Sequence, residues 1–344
     1  MSPSGFVAAT LTRVIDETPQ CRSFELDLPP CVRERFVGEP GQCLRVWARV
    51  GDVACERSYS LSNTPTLGES PRITVKRIPG GRVSNWCNDT LRPGSVLDVA
   101  PPSGRFVLRS LTKPTLMFAA GSGITPIFSL LRHVLGLTDL PAVLVQVNRS
   151  PADAIFRRSL VALRESMLGR FDLVEHFTGA GGRPTIDDIR ALCAARGDFD
   201  VYACGPDAFM ALVEYCAIEG GVPADRIFLE RFVNAQAAPS DHDTSADPVH
   251  AAVEARVHVT IDGRHHAYTC APGQTVLDGA TDAGLFLPHS CREGHCGTCL
   301  VKLTRGAVHM IRSQGISKRE KERGFVLACQ AVPIESRLII DYDT

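Results

Sequence analysis

The sequence predicts a multi-domain chain: an antiparallel β-domain of barrel or sandwich type, then an α/β domain with a parallel sheet, then a small domain behind a linker. Three observations carry this. Short strand-like runs broken by Gly and Pro fill residues 1–110. Apolar strands alternate with helical stretches over 111–233. A polar, proline-containing tract occupies 234–254, and a fresh alternating pattern starts at 255.

In the first region Leu44, Val46, Ala48 and Val50 alternate with Arg45, Trp47 and Arg49, the period of a half-buried strand, and Gly51-Asp52 turns the chain. Residues 73–78 read as a further strand closed by Pro79-Gly80-Gly81. Residues 96–99 and 106–108 read as two more, separated by Pro101-Pro102-Ser103-Gly104. The second region opens on the apolar strand 114–120, followed by a glycine turn and a helix. Strands are expected at 142–147, 171–174, 201–203 and 227–229, and a helix at 186–195 with Thr185 and Asp188 as its capping box. Residues 234–254 lack the apolar content of a core, and a coil of about 20 residues spans roughly 25 Å r.m.s.. After it, Val257, Val259 and Ile261 lead into Asp262-Gly263, a hairpin signal.

The length of 344 residues suits two or three domains, and 44% apolar with 22% charged residues is ordinary for a soluble globular chain. A net charge of −1 supplies no basic excess for nucleic acid or an anionic membrane. The N-terminus shows no basic-then-apolar export pattern, and no apolar run reaches the roughly 20 residues of a membrane span, so a cytoplasmic location is expected. The 13 cysteines are odd in number, which argues against a disulfide framework.

Four of those cysteines form a pattern. Cys291, Cys296 and Cys299 are spaced C-x4-C-x2-C, and Cys329 follows after 29 further residues. This is the spacing of a plant-type [2Fe-2S] site, in which one tight loop supplies three thiolates and a separate element the fourth. Gly294 and Gly297 let backbone N–H groups approach the sulfides. The competing reading is zinc, but zinc sites usually show two short ligand pairs, and here the fourth cysteine stands alone. His295 is read as an exposed loop residue. The stretch 288–301 resembles the cluster loop of plant-type ferredoxins, and the resemblance covers 255–344 and implies a β-grasp fold.

Two further motif groups precede it. Arg57-Ser58-Tyr59-Ser60 follows a strand of the first region, and Gly81-Arg82-Val83-Ser84 comes shortly after it. Gly121-Ser122-Gly123-Ile124-Thr125-Pro126 closes an apolar strand and opens a helix, the arrangement of an anion site, though proline stands where the dinucleotide fingerprint has its last glycine. Cys204-Gly205-Pro206 ends another strand, and Glu230 and Phe232 precede the linker.

Together these motifs resemble the ferredoxin–NADP reductase superfamily over residues 5–232. With the appended ferredoxin, the chain is similar to bacterial oxygenase reductases of the phenylacetyl-CoA epoxidase and ketosteroid hydroxylase type. The resemblance implies electron flow from NAD(P)H through FAD and the cluster to a terminal oxygenase that docks near the cluster loop. It implies that Arg57 binds flavin phosphate, Tyr59 flanks the isoalloxazine and Ser60 lies near its N5, with Ser58, Val75 and Lys76 beside them. Lys76 and Arg77 have the alternative of plain surface charges. Gly81, Val83 and Ser84 receive the FAD pyrophosphate, which favours FAD over FMN. Gly121, Gly123, Thr125 and Pro126 shape the nucleotide site, with Thr125 also touching flavin, and Cys204, Gly205 and Pro206 lie beside the nicotinamide. Glu230 matches the family's acidic residue and Phe232 its stacking aromatic, although many relatives end there on tyrosine. Cys204 has the alternative of an inert buried thiol.

The strand 142–147 runs into Asn148-Arg149-Ser150, with no acid until Asp153, beyond Pro151. An NAD-type site would place an acid at such a strand end, so Arg149 and Ser150 lean the reading toward NADPH. Other readings stay open: a fatty-acyl desaturase as acceptor, or a non-catalytic redox-sensing module. A dihydroorotate dehydrogenase electron-transfer protein is disfavoured by its shorter gap before the fourth cysteine.

Overall fold

Alternating side chains build the first sheet. In the computed structural model, which describes residues 5–194, 198–232, 253–289, 292–294, 296–316 and 318–344, it contains β1 (Val7–Thr18), β2 (Cys21–Asp27), β3 (Cys43–Val50), β4 (Val53–Ser60), β5 (Arg72–Lys76) and β6 (Val96–Val99), in the order β4-β3-β6-β1-β2-β5. An antiparallel bridge between Leu61, just past β4, and Ile73 in β5 joins the two edges and closes a barrel. Phe24, Leu44, Leu61, Ile73 and Leu97 fill it, and helix α1 (Arg82–Thr90) packs Val83 and Cys87 into the same core.

The strand expected at 106–108 is instead a loop. Pro101, Pro102 and Gly104, the last at φ +130°, end the ladder after a lone Cys43–Ser103 bridge. The apolar run serves another purpose. Phe106 buries in the next domain's core, edge-on to Tyr202 at 6.0 Å.

That domain alternates as expected: β7 (Thr115–Ala120), α2 (Ile124–Leu137), β8 (Ala142–Asn148), α3 (Arg157–Ser166), β9 (Phe171–Phe177), a short α4 (Thr178–Gly181), α5 (Ile186–Ala194), β10 (Asp200–Gly205), α6 (Asp207–Glu219) and β11 (Ile227–Arg231). The sheet is parallel, in the order β11-β10-β7-β8-β9. Met117, Leu144 and Tyr202 face one core, shared with α2 and α3, while Phe118, Val145 and Val201 face the other, shared with α5 and α6. The capping box forms: Thr185 N–H donates to Asp188 Oδ2 at 2.8 Å and Asp188 N–H to Thr185 Oγ1 at 3.2 Å.

The chain divides into two compact units, Met1–Phe232 and Val233–Thr344, so barrel and parallel sheet share the first. Most of the expected linker, 233–252, lies outside the described residues. The second unit holds β12 (Ala255–Ile261), β13 (Arg264–Cys270), α7 (Val276–Asp282), β14 (Leu300–Arg305), β15 (Val308–Met310), α8 (Lys318–Glu322), β16 (Phe325–Leu327), β17 (Ala331–Pro333) and β18 (Arg337–Asp341). Its main sheet runs β13-β12-β18-β14-β16 with a parallel β12–β18 centre, and α7 packs onto it, a β-grasp. The hairpin turn takes Asp262 at φ +51° and Gly263 at φ +68°, as a two-residue primed turn requires.

Candidate functional site

The carboxyl edge of the parallel sheet is built by close backbone approach. After β7 the chain turns at Gly121 (φ +57°) into Ser122, Gly123 and α2. A Cβ on Gly123 would strike the carbonyl of Cys204 and the amide of Gly205, so only glycine lets this turn lie against the end of β10. A Cβ on Gly205 would sit 2.9 Å from Ala120 Cβ and 3.0 Å from Phe209 Cδ1. Thr125 and Pro126, both buried, form the first turn of α2, and Thr125 Oγ1 donates to the Ser122 carbonyl at 3.0 Å. The ladder sets Cys204 level with Ala119 on one side and Glu230 on the other. Burial, and then the charge of Glu230, push the Cys204 thiol well above its ordinary range, so it stays protonated.

The barrel contributes the facing wall. Its closure sets the end of β4, with Tyr59 half-buried and Ser60 buried, beside β5 with Val75 and Lys76. A Cβ on Gly121 would lie 3.8 Å from Lys76 Nζ, so the barrel strand and the glycine turn meet at one place. Burial raises the Tyr59 phenol and keeps it neutral. Arg57 is exposed, and its guanidinium donates to the Glu56 carbonyl at 2.7 Å. Arg77 is committed to Asp89 at 2.6 Å, a surface ion pair.

Helix α1 starts at Arg82 with Gly81 as its N-cap, and a Cβ on Gly81 would strike Ser84 Oγ. That hydroxyl is buried without a hydrogen-bond partner among the described residues. An orphaned hydroxyl in the first turn of a helix fits a flavin phosphate, whose oxygens would accept from it and from the unbonded N–H groups of that turn.

At the end of β8 the sequence-predicted residues separate. Arg149 is exposed, makes no ion pair among the described residues, and its carbonyl accepts from Gly179 N–H at 2.9 Å. Ser150 Oγ donates instead to Asp153 Oδ2 at 2.7 Å. Asp153, the first acid after the strand and beyond Pro151, thus turns back to the strand end. Asn148, which the motif reading passes over, is buried with neither amide atom hydrogen-bonded among the described residues. Phe232 stands just past β11, 38% exposed.

In the second unit the sulfurs of Cys299 and Cys329 lie 3.2 Å apart and both are buried, while Cys296 is half-buried. Cys291 and His295 lie outside the described residues. The neighbouring Cys329 sulfur and burial push the Cys299 thiol far above its ordinary range. Gly294 takes φ +78° and Gly297 φ +68°. A Cβ on Gly294 would come within 2.8 Å of Gln330 Cγ. Gln330 Nε2 donates to the Arg292 carbonyl at 2.9 Å and Gly315 N–H to the Gly294 carbonyl at 2.7 Å, pinning the loop. Thr298 Oγ1 and Tyr342 OH are buried with no partner among the described residues. Clustered thiols with orphaned donors fit an anionic iron–sulfur group.

Three family models match in the same order: an oxidoreductase FAD-binding domain over residues 8–108, an oxidoreductase NAD-binding domain over 117–215, and a 2Fe-2S iron-sulfur cluster binding domain over 259–333. The ferredoxin reductase component of 3-ketosteroid-9-alpha-monooxygenase from Rhodococcus rhodochrous is 34% identical over 98% of this chain and 97% of its own. The chain belongs to the reductase components of oxygenase systems. Further relatives are the reductase of the glycine betaine monooxygenase of Pseudomonas aeruginosa, 31% identical over 96% of this chain and 93% of its own, and a component of the 1,2-phenylacetyl-CoA epoxidase of Escherichia coli, 30% identical over 98% of both. The solved structure of phthalate dioxygenase reductase shares the fold with a TM-score of 0.61 at 23% identity, covering 98% of each chain.

This reductase therefore carries FAD-binding, NAD-binding and 2Fe-2S domains on one chain. Among the described residues no helix is long and apolar enough to cross a membrane.

Proposed function

We propose that the reductase takes hydride from NAD(P)H at the β7–β10 edge and delivers electrons from a [2Fe-2S] cluster to a terminal oxygenase in the cytoplasm. The observation that carries it is the meeting of Lys76 with Gly121, which joins the barrel wall to the glycine turn within one compact unit. A bound flavin exchanges two electrons at once with a nicotinamide and single electrons with an iron–sulfur centre.

The proposed division of labour is 1–110 for the flavin, 111–233 for the nucleotide and 255–344 for the cluster, with 234–254 linking them. Arg57, Ser58, Tyr59, Ser60, Val75 and Lys76 hold the flavin ring and its near phosphate, and Gly81, Val83 and Ser84 the far one, so the flavin is FAD. Gly121, Gly123, Thr125, Pro126, Gly205 and Pro206 shape the nicotinamide end. Cys204 stays neutral there, so no thiolate stands next to the reacting ring. Glu230 and Phe232 border it. Cys291, Cys296, Cys299 and Cys329 hold the cluster, and the oxygenase docks at their loop.

The nucleotide choice turns on the β8 end. Ser150, expected to share a 2′-phosphate with Arg149, already bonds Asp153, whose carboxylate repels a dianion. That leaves Arg149 alone for NADPH and moves our proposal to NADH. The test is purified protein: flavin and cluster absorbance, FAD as the heat-released flavin, and NADH-driven reduction of cytochrome c. FMN as the sole flavin, or no nucleotide oxidation, refutes the reading.

A further inference from the structure

We propose that Asn148 reads the adenosine ribose and selects NADH over NADPH, an inference that rests on the sheet edge being the nucleotide site. The parallel register supplies the geometry. Glu230, Cys204, Ala119, Gln146 and Glu175 are aligned across the five strands. Two residues further on, at the carboxyl edge and on the same face, Asn148 pairs with Phe177. The β7–β8 ladder ends at Ala120 and Val147, so Asn148 follows its last rung directly, where β7 passes into the glycine turn. The order of strands reverses between β7 and β10, which is where the nicotinamide end sits. The adenosine end then extends over β8.

The Asn148 side chain is 5% exposed, and both Nδ2 and Oδ1 lack partners among the described residues. A buried carboxamide left unsatisfied on both atoms is costly, and a ligand, an ion or water that fills it removes that cost. Two residues earlier, Gln146 on the same face is bonded inside the fold through Nε2, which donates to the Ile155 carbonyl at 2.9 Å, while its Oε1 is buried without a partner among the described residues. Among the described residues Asn148, at the edge, is the one carboxamide with both atoms unmet.

A carboxamide offers one donor group and one acceptor. The vicinal hydroxyls of an unphosphorylated ribose both donate and accept, so they satisfy Oδ1 and Nδ2 together. A 2′-phosphate only accepts. With the 2′-hydroxyl gone only the 3′-hydroxyl can donate, so the paired exchange with two hydroxyls is lost and Oδ1 faces a dianion, beside the carboxylate that Asp153 brings to the same strand end. A site built to bond a hydroxyl rejects an analogue that cannot return the bond.

The experiment uses the full-length holoprotein, wild type and Asn148→Leu, titrated with 5′-AMP and with its 2′-phosphate by calorimetry. Steady-state rates with NADH and NADPH and the thermal midpoint accompany it. Expected are tighter wild-type binding of AMP, a ~3–10-fold loss of AMP affinity in the variant with the 2′-phosphate little changed, and a higher NADH KM at unaltered kcat. The nucleotide-free midpoint should rise, because leucine fills the space without unmet polar atoms. Equal losses for both ligands, no loss for either, or a lower midpoint from a broken internal bond would overturn the assignment while leaving the nucleotide site standing. A wild type that binds neither ligand overturns the nucleotide site itself, and this inference with it.

Discussion

The sulfurs of Cys299 and Cys329 touch at 3.2 Å although 30 positions separate them in sequence. The gap is spanned by β14, β15, α8 and β16, so the fold of the second unit, not local spacing, delivers the fourth ligand. We predict that Cys329→Ser loses the cluster's visible and EPR signals, because an alkoxide is a poorer ligand than a thiolate here. Flavin reduction by nucleotide should persist, since it belongs to the other unit. An unchanged EPR spectrum would remove Cys329 from the ligand set.

Ser84 carries a buried hydroxyl without a partner among the described residues. Ser84→Ala should leave flavin-free protein as stable or slightly more so, while FAD retention weakens by about 0.5–1.5 kcal/mol, roughly 3–10-fold in Kd. Flavin titration followed by fluorescence measures it. Unaltered affinity would place the phosphate elsewhere.

Gly123 faces the backbone of Cys204 with no room for a Cβ. Gly123→Ala must push β10 from the glycine turn and should cost about 1–3 kcal/mol, the usual range for overpacking. Reduction by NADH should slow while dithionite still bleaches the flavin. A normal thermal midpoint and normal turnover would show that the two strand ends are free to part.

Burial raises Cys87 to about 12 and Cys193 and Cys270 to about 11, and lifts Cys21 and Cys204 in the same direction. Raised folded-state values mean that the native thiols hold protons which the unfolded chain releases above about pH 8.5–9. Their stabilisation is therefore complete below pH 8.5 and is lost as pH rises toward 11–12. Each such thiol costs up to about 1.4 kcal/mol per pH unit in that window. Urea midpoints under reducing conditions should fall between pH 8 and 10, and a rise would contradict the sign.

Much of the molecule is legible in the sequence because its signals are local. Period-2 alternation marks β3 and β12, the Thr185–Asp188 pair its helix start, and Asp262-Gly263 its turn, each set by a few neighbouring torsions and bonds. The three-cysteine loop is equally readable, since one tight loop imposes its own spacing. Residues 106–108 mislead the strand reading because an apolar run carries no mark of which core will take it. Phe106 goes to Tyr202 in the next domain.

The sequence by itself determined the order of modules, the glycine turn and the cysteine loop, all written in adjacent residues. Only the tertiary structure decided that Leu61 meets Ile73 to close the barrel, that Gly123 lies against Cys204, that Asp153 claims Ser150, and that Asn148 is left without a partner among the described residues. Those facts depend on strand register and on which side chains compete for the same hydrogen bonds, and such competition exists only once distant segments are packed together.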